Sequence, residues 1–236
     1  MDADGSHQRM LAEGMAPDWS ADGRKIAFSY GDGQIWVMNA AGGGKRPITH
    51  SRAAKARPSW SQDGKRMAFI LIQNPGSRND PKPQIGIVNA DGTGERILTT
   101  EKRVNVRAAP DGSKTLLETA YDANAPSWSP VDDKIAFWSG IETEYGQIWV
   151  IRADGTGSLQ LTDDPSHRNS DDPSWSPDGK KILFSTGRSG RNELWMMNAD
   201  GSGQRRLSDI DADPFPGRAS WQPIAKQVTH NVMSNH

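Results

Sequence analysis

Five side chains able to hold a metal or a polar ligand stand within ten residues of one another: Asp163, Asp164, His167, Asp171 and Asp172, in "DDPSHRNSDD". Carboxylates at this density suit a hard divalent cation such as calcium, which takes oxygen ligands. Aspartates are equally at home in β turns, where they hydrogen-bond the backbone, and the turn reading is preferred. "NADGTGE" at residues 89–95 also reads as a turn, because it lacks the spaced acidic ligands of a calcium loop. A basic group lies earlier. Residues 45–66 carry seven basic side chains and one acidic, Lys55 and Arg57 among them, whereas residues 141–172 carry seven acidic and two basic.

Catalysis has no local motif. There is no Gly-x-Ser-x-Gly, no His-Glu-x-x-His and no phosphate loop. Five histidines are scattered at positions 7, 50, 167, 230 and 236. No catalytic residue and no cofactor are expected, calcium at residues 163–172 being the one alternative.

Net charge bounds the partner. The 236 residues sum to −1, so the basic excess of a nucleic-acid binder is missing. With no cysteine, disulfides and thiolate chemistry are excluded. The longest apolar run, residues 67–72, is far short of the ~20 residues a membrane helix needs. "MDADGSHQRM" reads as the middle of a repeat and not as a secretory leader. The sequence therefore reads as one domain over residues 1–236, in mature form or as a fragment of a longer protein.

The elements that position these groups repeat. "PDWSADGRKIAF", "PSWSQDGKRMAF", "PSWSPVDDKIAF" and "PSWSPDGKKILF" begin at Pro17, Pro58, Pro126 and Pro173. Trp19, Trp60, Trp128, Trp175 and Trp221 mark the series, with Ala108 in a weaker copy, at spacings of 41, 48, 20, 47 and 46 residues. Each unit reads as four strands. "PSWS" is the first, "SPDG" a type I turn closed by a left-handed glycine, and "KKILF" the second. Third strands read "QIWVMN", "QIGIVN", "QIWVIR" and "ELWMMN", followed by turns such as "ADGTG" and a short fourth strand. Four-stranded units of this period stack side by side into a β-propeller. The prediction is all-β, with six units. The third is truncated to one hairpin, and the last blade is closed by the N- and C-terminal segments. The recurring tryptophan is predicted to pack between blades.

These paired motifs, "PSWSPDGKKI" with "IWVMNA" and "ADGTG", resemble the repeat of TolB-type β-propellers, and the likeness covers nearly the whole chain. The family's N-terminal α/β domain is absent from this sequence. The resemblance implies a non-catalytic binding module of the bacterial periplasm that recognises a protein or peptide, with a peptidoglycan-associated lipoprotein as the type of partner. The lack of a leader leaves a cytoplasmic location open. Two alternatives come from similar repeats: an oligogalacturonate-lyase-like carbohydrate enzyme, and the gating propeller of a prolyl-oligopeptidase-like peptidase. No nucleic acid, no membrane insertion and a monomeric state are expected.

Strand direction chooses the face. Both tight turns of every unit fall on one end of the ring, and every long connection falls on the other, where binding groups normally sit. The positions three before each tryptophan (Ala16, Arg57, Asn105, Ala125, Asp172 and Arg218) lie nearest the channel mouth on the loop face. Lys55 and Arg57 of unit two are predicted to face Asp171 and Asp172 of unit five across that mouth. The expected binding set is Lys55, Arg57, Asn105, Asn124, His167, Asp171, Asp172 and Arg218.

Overall fold

The structure, a computed structural model, describes residues 8–72, 83–99, 103–108, 114–119, 122–140, 145–163, 169–207 and 221. Among them there is no helix, and the strands form four antiparallel four-stranded blades and one hairpin. Blade one is β1 (Met15–Trp19), β2 (Lys25–Ser29), β3 (Ile35–Asn39) and β4 (Arg46–Pro47). Blade two is β5 (Ala54–Trp60), β6 (Arg66–Ile72), β7 (Gln84–Asn89) and β8 (Arg96–Ile97). The third unit is the hairpin β9 (Arg103–Ala108) and β10 (Lys114–Thr119), a sheet of its own. Blade four is β11 (Asp122–Trp128), β12 (Lys134–Gly140), β13 (Gln147–Arg152) and β14 (Leu159–Gln160). Blade five is β15 (Ser170–Trp175), β16 (Lys181–Thr186), β17 (Glu193–Asn198) and β18 (Arg205–Arg206). Strand order within each blade follows the chain.

Local chemistry sets the turns. Ser20, Ser61 and Ser176 each donate a hydroxyl hydrogen bond to the aspartate two residues on, at 2.6, 2.7 and 2.6 Å. Asp22, Asp63 and Asp178 in turn accept the amides of Arg24, Lys65 and Lys180. These bonds favour the charged carboxylate, so all three aspartates lie below the usual range, the serine hydroxyl being the first cause. Backbone closeness fixes a glycine in the second turn. A Cβ on Gly92 would stand 2.8 Å from the Ile48 carbonyl oxygen of the preceding blade.

One interlock repeats between blades. The Trp60 amide donates to Asp18 Oδ2 at 2.7 Å, the Trp128 amide to Ser59 Oγ at 3.0 Å, and the Trp175 amide to Ser127 Oγ at 3.4 Å. Each acceptor sits just before the tryptophan of the preceding blade. The indoles fill the gaps: Trp60 packs with Ile35, Val37 and Ile48 of blade one. Trp128 meets Ile85, Ile87 and Leu98 of blade two, and Trp175 meets Ile148, Val150 and Leu161 of blade four. The predicted inter-blade tryptophan is therefore observed at three interfaces.

The Trp128–Ser59 bond also decides what the third unit is. Blade four locks straight onto blade two, and the Ala123 amide donates to the Pro83 carbonyl at 2.7 Å. Among the described contacts the succession of interlocks runs from blade two to blade four directly, with the hairpin a sheet of its own.

Residues 8–14 act as the tail of a unit preceding blade one. Arg9 Nη2 donates to the Ala41 carbonyl at 3.4 Å, much as Arg46 and Arg96 donate to the Ala90 and Ala153 carbonyls at 3.0 and 2.6 Å. Leu11 lies against Gly42 as Ile48 lies against Gly92. Trp221 continues the series beyond blade five, its Nε1 donating to the Ser174 carbonyl at 2.9 Å, as Trp175 Nε1 does to that of Ser127 at 3.1 Å. The rest of the predicted C-terminal contribution to closure lies outside the described residues.

Candidate functional site

First strands lie innermost: β5 touches β1 and β11, and β11 touches β15. Each carries the same irregularity. Register with the second strand breaks between Met15 and Asp18, Ala56 and Ser59, Asn124 and Ser127, and Asp171 and Ser174. At each break sits a residue of positive φ that is not glycine: Ala16 (48°), Arg57 (51°), Ala125 (51°) and Asp172 (47°). These are β-bulges, which bend a strand and re-aim its side chains. A left-handed non-glycine residue costs roughly 1–2 kcal/mol, so four copies are held against strain by the surrounding blades. The next residue is always proline (Pro17, Pro58, Pro126, Pro173). Proline has no ladder donor and is tolerated at bulges, so it was the sequence signal for this geometry.

Two of the four bulge side chains meet. Arg57 Nη1 donates to Asp172 Oδ1 at 2.8 Å, joining the first strands of blades two and five. Both side chains are half-buried. The Arg57 amide is fixed by Ser29 Oγ of blade one at 3.0 Å. Ala16 and Ala125 present only methyl groups at the other two bulges.

Asp171 stands beside this pair, and no described group hydrogen-bonds its carboxyl. Burial pushes its pKa up to about 6, the neighbouring Asp172 charge adds to the rise, and Arg57 partly offsets it. The two neighbours differ: Asp172 is paired with the Arg57 guanidinium, whereas among the described residues none is bonded to Asp171.

Other predicted members fall elsewhere. Lys55 does not face the aspartates. Its backbone amide donates to the Gly33 carbonyl, and its ammonium is buried in the seam between blades one and two. There it donates to Ser51 Oγ and the Ala53 carbonyl and pairs with Glu95 at 3.4 Å. Residues two apart on a regular strand share a face, so it is the bulge that sends Arg57 to the mouth and leaves Lys55 in the seam. Asn124 is half-buried and accepts the Ala125 amide on Oδ1 at 2.7 Å, so it props its own bulge. Asn105 lies on the hairpin, opposite Leu117 in an unbroken register. His167 and Arg218 lie outside the described residues. Among the described residues no three His, Cys, Asp or Glu side chains converge as a metal would require. Blade four lies directly between blades two and five, its first strand touching those of both.

Four-stranded blades interlocked around inward-facing first strands define a β-propeller, with a charged pair at the loop end of those strands. Residues 113–234 match the family model of the TolB β-propeller domain, just over half of the chain. The chain belongs to that family. A search of curated protein sequences gives no match. Among solved structures, the chain is similar to a protein assigned as TolB from Agrobacterium tumefaciens: 22% identity, TM-score 0.63, covering 86% of this chain and 65% of that one. It is also similar to an oligogalacturonate lyase in complex with manganese, at 14% identity and TM-score 0.61, covering 86% and 56%. Dipeptidyl peptidase 4 of Porphyromonas gingivalis follows at 12% identity and TM-score 0.53, covering 86% and 33%. At these identities the likeness is one of fold. This chain spans less than two thirds of the length of each of the three.

Proposed function

We propose that the chain is a non-catalytic binding module that takes a protein or peptide partner at the loop face of its propeller. The observation that carries this reading is the Arg57–Asp172 pair, set on two of four matching bulges where the first strands converge. Backbone strain repeated at one radius is retained where side chains must be aimed, and opposite charges there orient an incoming chain. The opposite face supports no such reading: its turns satisfy their own aspartates internally. By family, a periplasmic setting and a peptidoglycan-associated lipoprotein as partner are the specific form of the proposal. The lyase and peptidase readings rest on fold likeness alone.

The test is a titration of a purified peptidoglycan-associated lipoprotein against wild type, Arg57→Glu and the turn-face control Lys180→Glu. Reversal at Arg57 is expected to change binding mainly through the on-rate and its salt dependence, while Lys180→Glu binds as wild type. Equal binding by all three, or loss in the control alone, would place the contact elsewhere.

A further inference from the structure

Resting on that reading, we propose that the group recognised at the mouth is a cation, the guanidinium or ammonium of a basic segment in the partner, and that Arg57 is a resident occupant which this group displaces. The argument begins with an occupied site. Asp172 already binds a guanidinium, and that guanidinium is delivered from a different blade, 115 residues away in sequence. The pair is half-buried and joins the first strands of two different blades, so it resembles a bound ligand more than a packed structural bridge. Half-exposed pairs hold weakly, typically by no more than about 1 kcal/mol. Arg57 can therefore leave, while its backbone stays anchored on Ser29.

The charges agree. Among the described residues two carboxylates, Asp171 and Asp172, meet one guanidinium at this mouth. Lys55, the nearest other cation along β5, is committed to Ser51, Ala53 and Glu95. Ala16 and Ala125 leave the remaining two bulges without bulk or charge. Asp171, to which no described group hydrogen-bonds, is the other half of the receptor, partly desolvated and with like charge beside it. An arriving cation relieves both unfavourable conditions, whereas an anion would meet two carboxylates to reach one arginine.

The experiment uses L-argininamide as the probe, with N-acetylaspartate amide as an anionic control, titrated by calorimetry or by carboxyl NMR shifts. Arg57→Met keeps the stem and removes the competing guanidinium. Competition lowers apparent affinity by the fraction of time the site is filled, so Arg57→Met is expected to bind argininamide about three- to tenfold tighter than wild type. Adding Asp172→Asn to that variant should abolish the gain. Thermal melts of each variant separate a lost site from a lost fold, and Arg57→Gln serves if Arg57→Met is unstable. No gain in either variant, a gain that survives Asp172→Asn, or tighter binding of the anion would overturn the inference. The broader reading fails differently, through lipoprotein binding that ignores Arg57→Glu altogether. If lipoprotein binding requires Arg57 while argininamide does not bind, the module stands and the cation falls.

Discussion

Trp60 and Trp19 occupy the same place in the same repeat, yet Trp60 is 6% exposed and Trp19 is 54% exposed. The strand around each is alike: both precede a Ser-x-Asp turn and both follow a left-handed residue and a proline. What differs is the neighbour. Trp60 rests on the second and third strands of blade one, while Trp19 has beside it only residues 8–14 among the described residues, and shares a groove with Leu11, Phe28 and Met38. The repeat therefore writes a request for a partner face and not a burial. The apolar gain is realised only where the preceding unit presents two full strands.

The largest expected difference follows from that contrast. Trp175→Ala should destabilise the fold by about 3–5 kcal/mol, the usual cost of emptying a large buried aromatic site, because Trp175 is 7% exposed. Trp19→Ala should cost about 1 kcal/mol or less. Chemical denaturation of the two variants checks this, and equal losses would mean that Trp19 is as buried in solution as Trp175. Next comes the interlock itself. Ser59→Ala removes the acceptor of the Trp128 amide and should cost about 1–3 kcal/mol, the range for a buried donor left unsatisfied. A neutral result would show that the blade two to blade four seam is not held as the other seams are.

Smaller effects probe the bulges. Ala16→Gly relieves a left-handed alanine at φ 48° and should stabilise by at most about 1 kcal/mol, the strain relieved less the glycine entropy. A loss in the melting experiment would show that the methyl group packs usefully there. Finally, the two kinds of aspartate should titrate in opposite senses. Asp171, raised to about 6, binds its proton more tightly when folded than when unfolded. Its contribution to stability is therefore present below about 4, is lost as pH rises through about 6, and stays level above. Asp171→Asn should flatten that slope, and removing Arg57 should raise the Asp171 midpoint further. Asp178, lowered by Ser176 and the Lys180 amide, contributes stability at neutral pH that is lost as pH falls through its depressed value. Carboxyl NMR titration reads both, and an Asp171 midpoint near 4 would remove it from the buried side of the mouth.

Much of this molecule was legible before any coordinates. Repeated turn residues dictate turns through bonds that span two to five residues, and alternating apolar strands dictate blades, so the four-stranded units and their inter-blade tryptophans follow from local pattern. The pairing of Arg57 with Asp172 was legible as well, because repeat equivalence puts both at one radius on one face. Lys55 was misplaced because a side-chain count along a strand ignores the bulge: the extra residue re-aims Arg57 inward and leaves Lys55 in the seam.

The sequence by itself determined the units, their internal strand order, the identity of the turn face and the family, since all of these are encoded within some fifty residues at a time. Tertiary structure alone decided which units touch. Whether blade four meets the hairpin or blade two depends on which surface offers a matched apolar face and a hydrogen-bond acceptor, and blade two offers both in Ser59 with Ile85, Ile87 and Leu98. The same holds for charge. Two aspartates adjacent in sequence differ, one paired and one pushed up to about 6, because desolvation and the reach of an arginine from another blade are properties of the assembled space.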